Sequence, residues 1–332
     1  MNRNSTSLAY AELQPQDFLE ALENLGFACN GRLLALNSYE NRVYRVGIDD
    51  NDAIVAKFYR PNRWSDAAIL EEHGFAMELA GQEIPVVAPL VIGGSTLHKV
   101  GEFRVAVYPC RGGRAPDLDN FELLEQLGRF VARIHLVGET ATFRHRPGID
   151  VETYAIESMD FLLDHDFIPA ELVPAYESVA QSVIDGIERC FERAGHTALL
   201  RIHGDFHPGN VLVAGEQLHI VDFDDTRTGP AVQDLWMFLS GDREEQLPQL
   251  SALLDGYTRF RDFDARELHL VEGLRSLRIM HYAAWLARRW DDPAFKQAFP
   301  WFDSHRYWED HVLALREQLS LMQEPPLEWR PF

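Results

Sequence analysis

The sequence predicts an α+β fold with two lobes: an N-terminal lobe formed by an antiparallel sheet plus a helix, and a C-terminal lobe that is mostly helical. The 332 residues, of which 46% are hydrophobic and 25% charged, are enough for a large core and favour two packed halves. Short apolar runs between turn-forming residues fill the first third of the chain, as expected of a sheet. Longer segments with helical spacing of apolar residues fill most of the remainder.

The N-terminal lobe, residues 1–109, is predicted to begin with a short helix at residues 17–25 and to continue as a β-meander. A longer helix is predicted at residues 64–80, where apolar residues recur with helical spacing. The predicted strands are short and apolar, with turn signals such as Asn37-Ser38 between them. They are residues 32–35, 42–46, 53–59, 86–92 and 103–108.

The C-terminal lobe, residues 110–332, is predicted to contain long helices interrupted by one hairpin. The hairpin pairs residues 211–213 with residues 218–223. The predicted helices have apolar residues at helical spacing over several turns; they are residues 120–135, 169–194, 246–260 and 265–290. No linker rich in Pro, Gly or Ser separates the lobes, so the division falls at a short connection.

The formal net charge of −21, from 31 Lys and Arg against 52 Asp and Glu, argues against binding to nucleic acids or anionic membranes, because such a surface repels phosphate groups. It suits a cationic substrate, although solubility explains it equally well. Cys29, Cys110 and Cys190 are too widely spaced for a CxxC metal site or a disulfide framework, which favours reduced cytosolic thiols. No apolar stretch is long enough to cross a bilayer, and residues 1–17 have no signal-peptide pattern. We therefore expect a cytoplasmic protein with no membrane or nucleic-acid partner, and we expect a monomer.

The segment HGDFHPGN, residues 203–210, places an acidic residue and a carboxamide five positions apart on a loop. The hairpin that follows ends in VDFD, residues 221–224, and can fold Asp222 back beside this loop. Phosphoryl transfer requires a carboxylate base, metal ligands and a lysine to converge on the phosphates. Asp205 is therefore the candidate base, while Asn210 and Asp222 offer the hard oxygen ligands that Mg²⁺ prefers, so that Asp205 and Asp222 are the predicted catalytic residues. Taken singly, such residues are also common as caps of turns.

The same loop resembles the HGDxHxxN motif of the aminoglycoside phosphotransferase and choline kinase superfamily, which is related to protein kinases. The chain is more similar still to the bacterial stress response kinase A family, the RdoA/YihE type. The resemblance implies a protein-kinase-like fold, use of ATP and Mg²⁺, and a cytoplasmic serine/threonine protein kinase acting on a protein hydroxyl. The resembling segments are 36–44 (LNSYENRVY), 55–63 (VAKFYRPNR), 69–73 (ILEEH), 112–114 (GGR), 229–237 (GPAVQDLWM) and 289–301 (RWDDPAFKQAFPW).

Lys57 ends a predicted strand and resembles the kinase lysine that contacts the α and β phosphates. The acidic pair Glu71-Glu72 lies on the next predicted helix, where an ion-pair partner for this lysine is required. Glu72 is the better candidate, because Ala76 and Leu79 then occupy the inward positions one and two turns later.

No GxGxxG phosphate loop lies between the first two predicted strands, and residues 37–41 (NSYEN) fill its place. The family resemblance implies that Ser38 offers its hydroxyl or backbone N–H to the phosphates, although a plain Asn-Ser turn is an alternative interpretation. Residues 103–109 resemble the hinge strand whose backbone reads the adenine edge, with Tyr108 flanking that site. Asp234 resembles the aspartate that holds the catalytic-loop backbone in relatives.

Two features depart from protein kinases. Asp224 stands where the DFG motif has glycine, and no long activation segment or APE motif separates Asp222 from the helix of Asp234. Three functions remain open: a serine/threonine protein kinase, a small-molecule kinase related to aminoglycoside, choline or homoserine kinases, and a pseudokinase that binds nucleotide without chemistry. The third is disfavoured because the predicted lysine, base and metal ligands are all present. The first is preferred on family resemblance.

Overall fold

The structure is a computed structural model that describes residues 14–36, 38–101 and 103–329. Asn37, part of a predicted turn, and residues 1–13 of the N-terminal segment lie outside these ranges. Within them, no helix has both the length and the apolar character needed to cross a bilayer. The chain forms two compact units: the first holds the described residues up to Asp117 with Thr142–Arg146 and His207–Thr226, and the second holds Leu118–Ala141, Pro147–Phe206 and the described chain from Arg227 onward.

Nine β-strands and ten α-helices are found in the described residues. The strands are β1 (Cys29–Ala35), β2 (Arg42–Ile48), β3 (Ile54–Phe58), β4 (His98–Val100), β5 (Phe103–Pro109), β6 (Leu200–Ile202), β7 (Val211–Ala214), β8 (Gln217–Ile220) and β9 (Arg227–Gly229). The helices are α1 (Pro15–Asn24), α2 (Asp66–Gly81), α3 (Phe121–Gly138), α4 (Glu157–Asp164), α5 (Val173–Ala194), α6 (Gln233–Trp236), α7 (Arg243–Tyr257), α8 (Val271–Ala287), α9 (Pro293–Ala298) and α10 (His305–Leu321). The predicted α+β fold class is confirmed.

The first unit is built on a five-stranded sheet in the order β1-β2-β3-β5-β4, in which every neighbouring pair is antiparallel. The apolar side of α1 packs against this sheet and forms a buried core with it. The first three strands form the predicted β-meander. In the central strand β3, Lys57 pairs with Val43 of β2 and Ala106 of β5, so its backbone is held on both sides.

Helix α2 presents one acidic residue on its buried side. Ser65 begins the helix, and its Oγ accepts a hydrogen bond from the N–H of Ala68 at 3.1 Å, which satisfies one of the free donors of the first turn. The buried positions include Ile69, Glu72 and Leu79. Because a carboxylate on this apolar side is costly without a partner, Glu72 requires a buried cation nearby.

The hairpin of β7 and β8 corresponds to the hairpin predicted at residues 211–223 and belongs to the first unit. Two bridges hold it there: Ile220 pairs with Val86, and Val213 pairs with Arg114. The hairpin is flanked by two 3₁₀ turns, Pro208–Asn210 before β7 and Phe223–Asp225 after β8.

The strand predicted at residues 86–92 is wrong. This segment makes isolated bridges and single hydrogen bonds, such as that from the N–H of Leu90 to the carbonyl of Val107 at 2.7 Å. Pro85 precedes the segment and Pro89 lies within it. Because proline lacks a backbone N–H, neither residue can donate to a continuous strand ladder.

The second unit is mostly helical, as predicted, and also contains the two-stranded sheet of β6 and β9. Four predicted long helices correspond to α3, α5, α7 and α8. The helix predicted at residues 265–290 begins later than expected, because Ala265–Leu270 form a 3₁₀ helix whose first turn is fixed by the Asp264 carboxylate on the N–H of Arg266. Strands β6 and β9 and helices α4, α9 and α10 were not predicted.

Candidate active site

Six of the seven predicted site residues line one cavity of about 280 Å³ in the first unit. They are Ser38, Lys57, Glu72, Tyr108, Asn210 and Asp222. Apolar side chains, including those of Val43, Val55, Ala76 and Leu212, form much of the remaining wall. The seventh residue, Asp205, lies in the second unit. The first unit therefore combines an apolar cleft with the cations of Lys57 and Arg111 and several oxygen groups.

The Lys57 ammonium is surrounded by three carboxylates. Its Nζ lies 2.8 Å from Asp224 Oδ1, 3.3 Å from Glu72 Oε1 and 3.5 Å from Asp222 Oδ1. Burial acts to lower the pKa of Lys57, but the neighbouring carboxylates outweigh it and raise the pKa well above its usual value. Lys57 is therefore a permanent cation in the wall of the cavity.

The adjacent glutamates Glu71 and Glu72 of α2 have separate roles. Glu72 bonds Lys57 through Oε1 and Arg146 through Oε2, the latter at 2.8 Å from Nη2. Glu71 instead accepts hydrogen bonds from the backbone N–H groups of Arg144, His145 and Arg146, at 2.8, 2.9 and 3.1 Å. The lysine partner in the structure is Glu72, as the spacing of α2 predicts.

Asp222 and Asn210 lie at the two ends of the β7–β8 hairpin. The N–H of Val221 donates to the carbonyl of Asn210 at 3.0 Å, so the two ends are adjacent. Asp222 has φ 62° and ψ 70°, a left-handed conformation that costs a non-glycine residue on the order of 1–3 kcal/mol. Its carboxylate is 51% exposed. This pair of oxygen donors suits Mg²⁺, which usually takes one or two protein oxygens and completes its shell with phosphates and waters.

Asp224, at the position of the DFG glycine, is buried between two cations. Its Oδ1 contacts Lys57, and its Oδ2 accepts a hydrogen bond from Arg63 Nη1. Burial acts to raise the pKa of Asp224, but Arg63 and Lys57 outweigh it and hold the pKa at about 2. Arg63 also donates from Nη2 to Asp225 Oδ1 at 2.8 Å. From the sequence alone, Asp224 is recognisable only as a departure from the DFG motif.

Tyr108 directs its hydroxyl toward a buried polar cluster. The hydroxyl lies 3.2 Å from that of Tyr59 and 3.4 Å from Nε2 of His73. The Tyr59 hydroxyl in turn lies 3.4 Å from Glu72 Oε1. Burial raises the pKa of the Tyr108 hydroxyl, which keeps it neutral.

Residues 38–41 belong to the loop between β1 and β2. Ser38 Oγ accepts a hydrogen bond from the N–H of Asn41 at 3.3 Å, as in a turn closed by a serine. Asn41 Oδ1 accepts from the N–H of Arg60 at 3.0 Å. Ser38 lines the cavity while its hydroxyl supports the loop.

In the second unit, Asp234 holds the backbone that precedes Asp205. Its two carboxylate oxygens accept the N–H groups of His203 at 2.7 Å and Gly204 at 2.8 Å. His135 Nε2 lies 3.2 Å from the same carboxylate. Because a carboxylate that accepts several hydrogen bonds is fixed in orientation, the start of the 203–210 loop is rigid.

Asp205 itself is about a quarter exposed and contacts α8. Arg278 Nη1 donates to Asp205 Oδ1 at 2.5 Å, and the Arg278 side chain is 45% exposed. This ion pair orients the carboxylate. An exposed pair of this kind is worth little in stability, so an incoming group can displace the guanidinium.

A family model described as the phosphotransferase enzyme family matches residues 32–270 of the chain. The chain belongs to this family. The stress response kinase A of Escherichia coli strain K12 is 41% identical over 328 residues, which cover 99% of both proteins. A protein of Salmonella typhimurium named serine/threonine protein kinase RdoA is 40% identical with the same coverage. The resemblance stated from the sequence is therefore confirmed.

Among solved structures, an amicoumacin kinase in complex with AMP-PNP and Ca²⁺ matches this phosphotransferase with a TM-score of 0.72 at 19% identity. The match covers 95% of each chain. At this level of identity, the likeness concerns the fold.

Sequence reasoning missed the contacts of four residues that hold carboxylates of the two units in place. Two of them, Arg63 and Arg146, neutralise buried carboxylates of the first unit, and the other two, His135 and Arg278, hold Asp234 and Asp205 in the second. Arg63 lies within the family-like segment 55–63, but its partner Asp224 lies 161 positions away. The others gave no local signal.

Proposed function

We propose that this phosphotransferase is a cytoplasmic, ATP- and Mg²⁺-dependent serine/threonine protein kinase of the stress response type. We further propose that it acts as a monomer and transfers the γ-phosphate to a protein hydroxyl. The observation that carries the proposal is that a buried lysine, its glutamate and two oxygen donors reach one cavity. The chain that holds them is 41% identical to a stress response kinase A over 99% of its length.

The residues of the first unit suit an ATP molecule. The apolar walls fit a planar base, and the Lys57 ammonium can donate to the α and β phosphates while Glu72 aims it. Asn210 and Asp222 would hold Mg²⁺, which, when bound, neutralises phosphate charge. The complex of the amicoumacin kinase with AMP-PNP and Ca²⁺ supports nucleotide and divalent-metal use in this fold.

Asp205 is proposed as the base. It accepts the proton of the acceptor hydroxyl while the hydroxyl oxygen forms a bond to the γ-phosphorus and the bond from that phosphorus to the bridging β–γ oxygen breaks, releasing ADP. Asp234 contributes by fixing the backbone of His203 and Gly204 just before the base. Such positioning fixes the backbone next to the base, so that the incoming hydroxyl has only the exposed Arg278 guanidinium to displace.

A small-molecule kinase is the second candidate. Only a short stretch separates Asp222 from the helix that begins at Gln233, so no long activation segment is present to form a peptide platform. Solved structures of this fold also include one named as an aminopropanol kinase, with a TM-score of 0.69 at 18% identity. A protein acceptor would have to dock on the helices of the second unit.

The class of the phosphate acceptor is determined by finding which molecules become labelled. Purified protein is incubated with Mg²⁺ and ATP labelled at the γ-phosphate, with a protein extract in one reaction and a pool of small metabolites in another. The proposal predicts labelled protein whose acid hydrolysis releases phosphoserine or phosphothreonine. Label only in a small metabolite, at a catalytic efficiency of about 10⁴–10⁸ M⁻¹s⁻¹, would establish the small-molecule kinase instead.

A further inference from the structure

Two segments of the first unit carry oxygen groups at the cavity. One is the β1–β2 loop, residues 38–41, which contains Ser38. The other is the aspartate turn, residues 222–225, which contains Asp222. Both Ser38 and Asp222 line the cavity, although the two segments are far apart in sequence. A side chain that contacts both segments can tie the position of one to the position of the other.

Arg63 is that side chain. Its guanidinium donates to Asp224 and Asp225 of the aspartate turn, the latter at 2.8 Å, and its Nε lies 3.7 Å from Glu40 Oε1 of the β1–β2 loop. The Arg63 side chain is only 14% exposed, and that of Glu40 only 11%. Ion pairs with so little solvent are weakly screened, so their geometry depends strongly on every member.

Arg60 provides a comparison within the same segment. Its Nε lies 3.4 Å from the same Glu40 oxygen and donates to the Glu40 carbonyl at 3.0 Å. Arg60 thus supports the β1–β2 loop from the same side as Arg63. By contrast, Arg63 bonds two of the three carboxylates of the aspartate turn, those of Asp224 and Asp225.

Loss of Arg63 would also change what Lys57 does. Asp224 is shared between Arg63 and Lys57, which lies 2.8 Å from it. Without the guanidinium, the buried Asp224 charge would be compensated mainly by the Lys57 ammonium. A lysine held in this way has less of its donor capacity left for a phosphate group.

We propose that Arg63 is a positioning residue that couples the β1–β2 loop to the aspartate turn, so that nucleotide phosphates and the divalent cation strengthen each other's binding. The inference rests on the proposed function in placing ATP and Mg²⁺ at this cavity. The coupling is reciprocal: the cation should tighten ATP by the same factor by which ATP tightens the cation.

Calorimetry of the full-length protein measures this coupling. ATP is titrated in the absence of Mg²⁺ and at saturating Mg²⁺. The dissociation constant without Mg²⁺ is divided by that with Mg²⁺, and this ratio is compared among the wild type, Arg63→Met and the matched control Arg60→Met. We expect Arg63→Met to reduce the ratio by about tenfold, within the usual range of such couplings. Arg60→Met should weaken ATP binding by a similar factor with and without Mg²⁺, leaving the ratio unchanged. Arg63→Lys should recover part of the ratio, since it keeps the charge but loses the bidentate geometry.

The outcomes separate the two claims. A wild type that binds no ATP overturns the proposed function and this inference together. If the wild type binds ATP more tightly with Mg²⁺ and Arg63→Met shows the same ratio of dissociation constants, only the role of Arg63 is overturned. If Arg63→Met does not fold, as judged by thermal unfolding, Arg63→Lys decides the matter, and a wild-type ratio in that variant contradicts the inference. A merely structural arginine would lower the melting temperature and leave the ratio unchanged.

Discussion

Lys57 has three carboxylates within 3.5 Å, and this number determines what a substitution there does. Removing one member of a buried ion pair leaves an uncompensated charge and costs about 3–5 kcal/mol. Arg63 and Arg146 take part of that charge at Asp224 and Glu72, which moderates the loss. Effects on binding therefore have to be measured beside effects on stability.

Lys57→Ala should raise the KM for ATP and lower kcat, and Glu72→Gln should give a milder form of both. The double variant should be little worse than Lys57→Ala alone, because residues that act through one interaction are not additive. Steady-state kinetics of the three variants provides the measurement.

Glu71→Gln is the matched control for Glu72→Gln. Glu71 bonds the backbone of residues 144–146 and should affect the melting temperature rather than the KM for ATP. Fully additive losses in the Lys57 and Glu72 double variant would remove Glu72 from the role of partner.

The site residues that could be predicted from the sequence are those that belong to recognisable motifs. Lys57, Asn210 and Asp222 could be named because each occupies a recognisable place at the end of a strand or in a loop. Arg146 could not, because its ion pair with Glu72 spans 74 positions and depends on how buried charges are matched in three dimensions. Side-chain charge compensation of this kind leaves no periodic pattern.

At the scale of elements, α3 and α7 pack so closely that glycine is required at the contact. A Cβ added at Gly256 would lie 1.9 Å from the carbonyl oxygen of Glu125, and one added at Gly128 would lie 1.9 Å from that of Leu253. Helix α3 carries His135, which bonds Asp234. The close contact therefore supports the element that anchors the loop of the proposed base.

Gly256→Ala should destabilise the protein by about 1–3 kcal/mol or more, because the new methyl group meets backbone that cannot move without shifting a helix. Gly74→Ala is the matched control: Gly74 lies in α2, a Cβ there meets nothing within 4 Å, and the substitution should stabilise by roughly 0.5–1 kcal/mol. Thermal unfolding of the two variants checks this. Equal melting temperatures would contradict the close packing of α3 and α7.

Periodicity located the long helices well and the short elements poorly. Helices α3, α5, α7 and α8 each repeat an apolar pattern over several turns, so the signal accumulates. The apolar segment 86–92 gave a false strand because its prolines matter more than its hydrophobicity. Strands β6 and β9 have three residues each, too few for alternation to be visible.

At the scale of the whole molecule, one buried acid makes stability depend on pH. Glu267 is 2% exposed and accepts a hydrogen bond from the N–H of Val232 at 2.8 Å. Burial raises its pKa from 4.5 to about 7. Between these values the folded protein retains a proton that the unfolded chain releases. The contribution of Glu267 to stability is therefore complete below about pH 4.5 and is lost as pH rises to about 7.

Glu267→Gln should remove this pH dependence, since the amide does not titrate and its oxygen can still accept the Val232 hydrogen bond. Relative to the variant, the wild type should lose up to about 3 kcal/mol of unfolding free energy between pH 5 and pH 8. Urea unfolding of both proteins at several pH values gives the difference. A difference that stays constant with pH would show that Glu267 is ionised in the folded state throughout.

The α+β class and the mixture of sheet and helix were predictable because patterning differs between the two parts of the chain. The grouping of His207–Thr226 with the first unit was set by the bridges of Ile220 to Val86 and Val213 to Arg114. Such pairings join residues that are far apart in sequence, so local patterns do not encode them.

We propose that the protein transfers the γ-phosphoryl group of ATP with Asp205 as the base. The most direct measurement compares the rate of label transfer from γ-labelled ATP by the wild type and by Asp205→Asn, with Mg²⁺-dependent ATP binding of both proteins determined by calorimetry. We predict unchanged binding and a turnover lower by about 10²–10⁴-fold in the variant. Transfer of label by the variant at the wild-type rate would show that Asp205 is not the base.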